Sequence, residues 1–179
     1  SLSLPPLNFF LVNFLTFSVF FVFLFKKLST KINKKISFYY GWLFGFGYFL
    51  TNLYWITISL TFDKNFSFLI PIASIIIPSF LALFYSLITF FYRLYNPKNV
   101  LSAFFLFSFL FGFVEFLRGI VLTGFPWNLI AYSFSDHLNF ISIISVIGTY
   151  SLNLISISLF MIPGILLLRK SKKEVVIST

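Results

Sequence analysis

The chain has 179 residues, of which 59% are hydrophobic, 23% aromatic and 9% charged, and its mean hydropathy is +1.00. A soluble domain needs about a quarter of its residues charged to cover its surface, so a fully water-solvated fold is excluded and most of this chain is expected to face lipid. The net charge of +9 does not mark a nucleic-acid partner, because the basic residues fall in short clusters between apolar runs, where they act as topology signals.

A spanning helix needs about 20 mostly apolar residues, and five segments qualify. The first, 7–25, runs from Leu7 to Phe25. Pro5-Pro6 open it, their missing N–H groups suiting a helix start, and Lys26-Lys27 close it, with Lys31, Lys34 and Lys35 beyond. The second, 38–60, runs from Phe38 to Leu60 and closes before Asp63, Lys64 and Asn65. Gly41, Gly45 and Gly47 lie in its first half, and Gly41 with Gly45 forms a GxxxG pair that permits close helix approach in lipid. The third, 66–92, carries Pro71 in its first turns and Pro78 inside, which predicts a kink near Ser74 to Pro78. The fourth, 100–122, runs from Val100 to Leu122, and the fifth, 140–168, from Phe140 to Leu168 with Pro163 near its end. The expected fold class is all-α: one transmembrane helix bundle over residues 1–179, with about five spans and an irregular outward-facing turn after the fourth.

Five spans place the connectors after the first and third on the same side as the C-terminal tail. That side holds Lys26, Lys27, Lys31, Lys34, Lys35, Arg93, Lys98, Arg169, Lys170, Lys172 and Lys173, eleven of the 13 basic residues. Lys64 lies on the other side, and Arg118 is embedded near that end of the fourth span. The bias places the basic connectors and tail in the cytoplasm and the segment Gly124 to Asn139 outside it. No internal repeat or matched pair of broken helices suggests a secondary transporter.

Glu115 and Arg118 are the only charges within a span. A lone ionised side chain at the bilayer centre costs at least about 2.5–3.5 kcal/mol, whereas residues three apart on a helix share a face and can pair. Two readings stay open. The pair ties the end of the span to the following turn, or Arg118 offers its guanidinium to a lipid phosphate or another anion while Glu115 orients it. Gly119, Gly124 and Pro126 make the continuation irregular, and irregular backbone at membrane depth needs protein or a water-lined cavity around it. Thr123 to Asn128 is therefore expected to form a re-entrant or interfacial turn. Trp127 is either an interfacial anchor or the wall of a lipid-accepting groove.

Ser135-Asp136-His137 is no hydrolase triad, because adjacent residues do not arrange as nucleophile, base and orienter and no G-x-S-x-G elbow is present. It reads as a polar loop before the fifth span. Tyr54-Trp55 falls where aromatic-belt residues are expected. There is no cysteine, which excludes disulfides, thiolate metal sites and a cysteine nucleophile, and a single histidine speaks against zinc or iron. No metal or cofactor is expected.

Gly41 to Leu60 (GWLFGFGYFLTNLYWITISL) and Glu115 to Asp136 (EFLRGIVLTGFPWNLIAYSFSD) resemble segments of the bacterial apolipoprotein N-acyltransferase family. The ordered match Glu-Phe-Leu-Arg-Gly, Leu-Thr-Gly-Phe-Pro-Trp and Tyr-Ser is its most specific part, and Ile147-Gly148-Thr149-Tyr150 with Asn153 resembles the start of the next family helix. The resemblance implies an inner-membrane enzyme of about eight spans with a large nitrilase-like domain outside the cytoplasm. Its members take an acyl chain from a membrane phospholipid onto a cysteine and pass it to the N-terminal diacylglyceryl-cysteine of an apolipoprotein. The catalytic Glu-Lys-Cys set of that domain has no counterpart here, so this chain is expected to be a fragment or truncated product, inactive alone, with no catalytic residue of its own. Its candidate lipid or substrate platform is Glu115, Arg118, Gly124, Phe125, Pro126, Trp127 and Tyr132, with Tyr54 and Trp55 secondary. The partners implied are phospholipid as acyl donor, apolipoprotein as acceptor and the bilayer itself, with no nucleic acid. The competing readings are a small transporter subunit, for which Asn52 and Asn153 are the polar mid-membrane candidates, and a non-catalytic remnant bundle.

Overall fold

Lipid offers no water to backbone N–H and C=O groups, so an apolar chain of this length satisfies them within helices. The computed structural model describes residues 3–4, 8–28, 33–62, 64–121 and 124–177, and every regular element among them is helical. Pro5, Pro6, Leu7, Lys31, Asp63, Leu122 and Thr123 lie outside the described residues, as do the side chains of Lys64, Phe66 and residues 170–177.

The order is α1 (Leu11–Leu28), α2 (Lys34–Asn52), the 3₁₀ helices η1 (Tyr54–Thr61) and η2 (Lys64–Leu69), α3 (Ile70–Tyr95), α4 (Val100–Ile120), the 3₁₀ helix η3 (Ile130–Phe134), α5 (Leu138–Ile141), α6 (Ile144–Ile147), α7 (Thr149–Phe160) and α8 (Ile162–Ile177). Asparagines punctuate them. Asn33 and Asn99 cap α2 and α4 by accepting from Lys35 N and Leu101 N, and Asn96 ends α3 in the left-handed conformation. Among the described residues three helical stretches are long and apolar enough to cross a membrane, Ser67–Tyr95, Val100–Ile120 and Thr149–Arg169, and a fourth if α2 and η1 form one bent span. α1 is 18 residues long.

Two expected spans are corrected by breaks. The second does not run unbroken from 38 to 60: α2 ends at Asn52 and η1 leaves at 48°. Thr51 Oγ1 donates back to the carbonyls of Gly47 and Tyr48, and Asn52 Nδ2 to that of Tyr48. Thr57, Ser59 and Thr61 each bond the carbonyl three residues earlier. Such back-bonding competes with the α-helical ladder. The fifth does not begin at 140, because α5 and α6 are single turns and Gly148, at φ 81 and ψ 159, separates them from α7. That backbone conformation is essentially reserved for glycine. The third span passes through Pro78 as one α-helix, with η2 in front of it.

Lipid is as apolar as leucine, so spanning helices are held by close packing and hydrogen bonds rather than by hydrophobic burial. α2 and α3 show both. A Cβ at Gly41 would lie 2.5 Å from the carbonyl oxygen of Tyr85 and 2.7 Å from Ser86 Cα, and one at Gly45 would lie 3.0 Å from Ala82 Cα. Ser37 Oγ donates to the Thr89 carbonyl over 2.6 Å, and Thr89 Oγ1 returns a bond to the Ser37 carbonyl over 2.7 Å. α3 packs on α4, α4 on α7, and α1 on α7 and α8. Phe17, Phe21, Phe49, Tyr85, Phe107, Phe111 and Phe160 fill the centre in edge-to-face, tilted and stacked pairs. α1 and α3 end, and α2 and α4 begin, at one end of this bundle. The irregular segments, η1–η2 and residues 124–148, gather at the other.

Candidate functional site

The irregular end is organised by the last turn of α4. Glu115 and Arg118 project from one face of that helix and are both buried, at 0% and 1% exposure, in an environment that demands a partner for each charge. They form an ion pair between Arg118 Nη2 and Glu115 Oε2. Arg118 Nη1 donates to the carbonyls of Phe125 over 2.5 Å and Trp127 over 3.0 Å. The same guanidinium lies 5.3 Å from the ring centre of Phe49 and 5.9 Å from that of Phe125, within cation–π range. Arg118 is thus the peg around which the turn is wound.

The backbone closes the turn from below. Phe125 N donates to the Arg118 carbonyl over 2.8 Å, and Gly124 N to that of Val121 over 3.0 Å. Gly124 has φ 71, and a Cβ there would stand 2.4 Å from the Gly119 carbonyl oxygen. Only glycine fits. Gly119 is itself covered, since a Cβ on it would meet Tyr150 Oη at 1.7 Å, and Tyr150 packs edge-on to Phe116 at 5.4 Å.

The wound turn walls a cavity of about 280 Å³ lined by Ile76, Ile77, Phe80, Leu81 and Phe84 of α3 and by Arg118, Val121, Gly124 and Phe125. Arg118 is its one polar lining residue, and among the described residues its Nε has no hydrogen-bond acceptor. Glu115 Oε1 also has none, and Tyr85 Oη lies close to Glu115 without meeting the geometry of a hydrogen bond.

The expected site residues do not all converge. Glu115, Arg118, Gly124 and Phe125 form the peg, turn and groove wall. Pro126 and Trp127 are exposed on the turn, and Trp127 meets Trp55 of η1 edge-on, with ring centres 6.3 Å apart. Tyr54 is exposed and lines a separate cavity of about 160 Å³ between α2, η1 and α3. Tyr132 sits apart on η3, where burial and then the neighbouring Tyr150 push its hydroxyl above the usual tyrosine value, against the opposing pull of Arg118. It is neutral at physiological pH.

Asn52 and Asn153 do not stand open in a mid-membrane cavity. Asn52 bonds Tyr48 and Asn128, and Asn153 Oδ1 accepts from Ala131 N at the head of η3. Sequence reasoning missed Tyr48, Asn128 and the α3 lining residues. The one local signal was Asn128 directly after Trp127, since asparagine is enriched at positive φ. No cluster of three or more potential metal ligands exists among the described residues.

Residues 1–162 match the sequence profile of the apolipoprotein N-acyltransferase N-terminal domain. An apolipoprotein N-acyltransferase of Allorhizobium ampelinum is 32% identical over 180 residues, which cover 97% of this chain and 34% of the relative. Proteins of the same name are 39% identical over 129 residues in Rhodopseudomonas palustris and 37% identical over 129 residues in Rickettsia prowazekii, covering 71% and 70% of this chain and 24% and 25% of those relatives. The chain spans about a third of the length of the relative that it matches almost end to end. An N-terminal-domain match over nearly the whole chain, joined to identities above 30%, shows that the chain belongs to the apolipoprotein N-acyltransferase family.

Proposed function

We propose that this chain provides the membrane portion of an apolipoprotein N-acyltransferase, moving an acyl chain from phospholipid to the N-terminal diacylglyceryl-cysteine of a lipoprotein. The irregular end of the bundle is its platform. It holds an acyl chain in the α3–turn groove, with the polar end of the ligand at Arg118, while the chemistry is done elsewhere. The observation that carries this reading is the groove itself, an apolar slot whose one polar lining residue is the buried cation Arg118. That is the pattern of an amphiphile site: apolar walls with a single placed polar group.

The charge distribution supports an inner-membrane placement with the basic connectors and C-terminal tail in the cytoplasm and Gly124 to Asn139 on the periplasmic side. These 179 residues contain no cysteine to carry a thioester, so acyl transfer is not expected of them alone.

The test is photolabelling in vesicles of phosphatidylethanolamine and phosphatidylglycerol doped with a phospholipid bearing a diazirine on one acyl chain. Label should concentrate on residues 76–84 and 124–125 several-fold above the lipid-facing Phe105, Phe109 and Phe113 of α4, and Ile77→Trp should reduce it. Labelling spread evenly over both faces would sink the groove reading.

A further inference from the structure

Arg118 holds the turn from α4, and a second tie reaches it from α2. Tyr48 Oη donates to the Asn128 carbonyl over 2.6 Å, across 80 positions of sequence. Asn128 Nδ2 in turn donates to the Asn52 carbonyl over 3.1 Å. Asn52 is the last residue of α2, where a helix leaves its carbonyls without partners in a following turn. One residue of the turn thus closes the broken helix and is held by it. Asn128 can do this because it adopts φ 57, a left-handed conformation that asparagine tolerates better than most residues.

We infer that Tyr48 and Asn128 are positioning residues for the groove: they hold the turn just beyond its Gly124–Phe125 wall from the α2 side, so that the turn and the C-terminal end of α2 move as one body. This rests on the groove being the acyl site. The argument is mechanical. Arg118 grips the turn at two carbonyls, those of Phe125 and Trp127. The backbone bonds of Gly124 and Phe125 to Val121 and Arg118 hold the start of the turn, but from Pro126 onward a segment gripped only by the guanidinium can pivot and tilt the Phe125 ring against the cavity. The Tyr48–Asn128–Asn52 joint stands immediately beyond the second grip and removes that freedom. The Trp55–Trp127 ring pair lies across the same joint, with one ring on η1 and one on the turn, so it reports the joint directly.

The experiment uses the full chain in lipid nanodiscs. Tyr48→Phe keeps the ring and removes the donor, while Asn128→Gly keeps the left-handed backbone accessible and removes the amide. The first readout is affinity for cis-parinaric acid, a fluorescent acyl probe, with Ile77→Trp as the groove-blocked control. The second needs no probe: in a Trp42→Phe background, emission of Trp55 and Trp127 and their quenching by dibrominated phosphatidylcholine are recorded.

Each variant should weaken probe affinity about 2- to 10-fold, the worth of one hydrogen bond, with helical circular dichroism unchanged and tryptophan quenching altered. The double variant should be no weaker than the poorer single one, because both break the same joint. Unchanged tryptophan emission and quenching in both variants would overturn the inference. Probe binding that Ile77→Trp leaves intact would reject the groove instead, and the tryptophan readout would still decide the joint. Should Tyr48→Phe fail to fold, Asn128→Gly decides alone.

Discussion

Between α2 and α3 the backbone is satisfied inside each helix, and the two meet through glycines at Gly41 and Gly45 with one reciprocal hydroxyl pair, Ser37 and Thr89. In the turn after α4 the backbone leaves the helix, and side chains carry what the ladder no longer can: Arg118 takes two carbonyls, Tyr48 a third, and Asn128 caps α2. The first region depends on the absence of side-chain atoms, the second on a few polar atoms in exact register. Packing of the first kind spreads its energy over many weak contacts. Satisfaction of the second kind concentrates it in charges and carbonyls with no alternative partner in lipid, so the two regions should fail differently.

The largest effect is expected at the peg. Glu115→Ala removes the ion-pair partner of Arg118 and leaves a buried cation uncompensated, which costs about 3–5 kcal/mol. Denaturant unfolding of the detergent-solubilised chain reads this, and Glu115→Gln, which keeps an acceptor, should recover part of it. A loss below about 1 kcal/mol, the scale of an ordinary hydrogen bond, would show that the turn is held by something other than the pair.

The glycines sharpen the other half of the comparison. Gly41→Ala sets a Cβ against backbone atoms of α3 that cannot rotate away, so the helices must part, at about 1–3 kcal/mol. Gly47 is on the same helix with nothing within 4 Å of such a Cβ, and Gly47→Ala should stabilise by about 0.5–1 kcal/mol through backbone entropy. Melting curves that moved the two variants in the same direction would contradict the close-approach account of the α2–α3 contact.

The sequence carried the apolar segments, the GxxxG approach and the buried ion pair plainly, because each depends on composition or on spacing along one helix. The breaks were harder. Tyr54–Thr61 is as apolar as the helix before it, so hydropathy runs on through Leu53. The signal lay in Thr51, Asn52, Thr57, Ser59 and Thr61, whose polar atoms reach back to carbonyls three or four residues earlier. Gly148 stands likewise inside an apolar run, and only its φ of 81 shows why the helix starts after it. The groove was illegible for a different reason. Ile76, Phe80 and Phe84 form a stripe of the kind that also faces lipid, and in a bilayer the core face and the lipid face have the same chemistry. The Tyr48–Asn128 tie joins residues 80 positions apart, beyond any local pattern.

The smallest effect tests whether the α2–α3 contact truly spreads its energy. Ser37→Ala deletes one donor of the reciprocal pair and leaves the Thr89 carbonyl within its own helix. Thr89 Oγ1 keeps both the Ser37 carbonyl and that of Ser86, 3.1 Å away, so nothing is orphaned on that side. Interhelical hydrogen bonds in membranes average about 0.6 kcal/mol, because the separated helices also find partners. Ser37→Ala should therefore cost about that much, and a double-mutant cycle with Thr89→Val should give a coupling no larger than about 1 kcal/mol. A coupling of several kcal/mol would place a peg between α2 and α3 as well, and the contrast between a packed contact and a pegged turn would no longer hold.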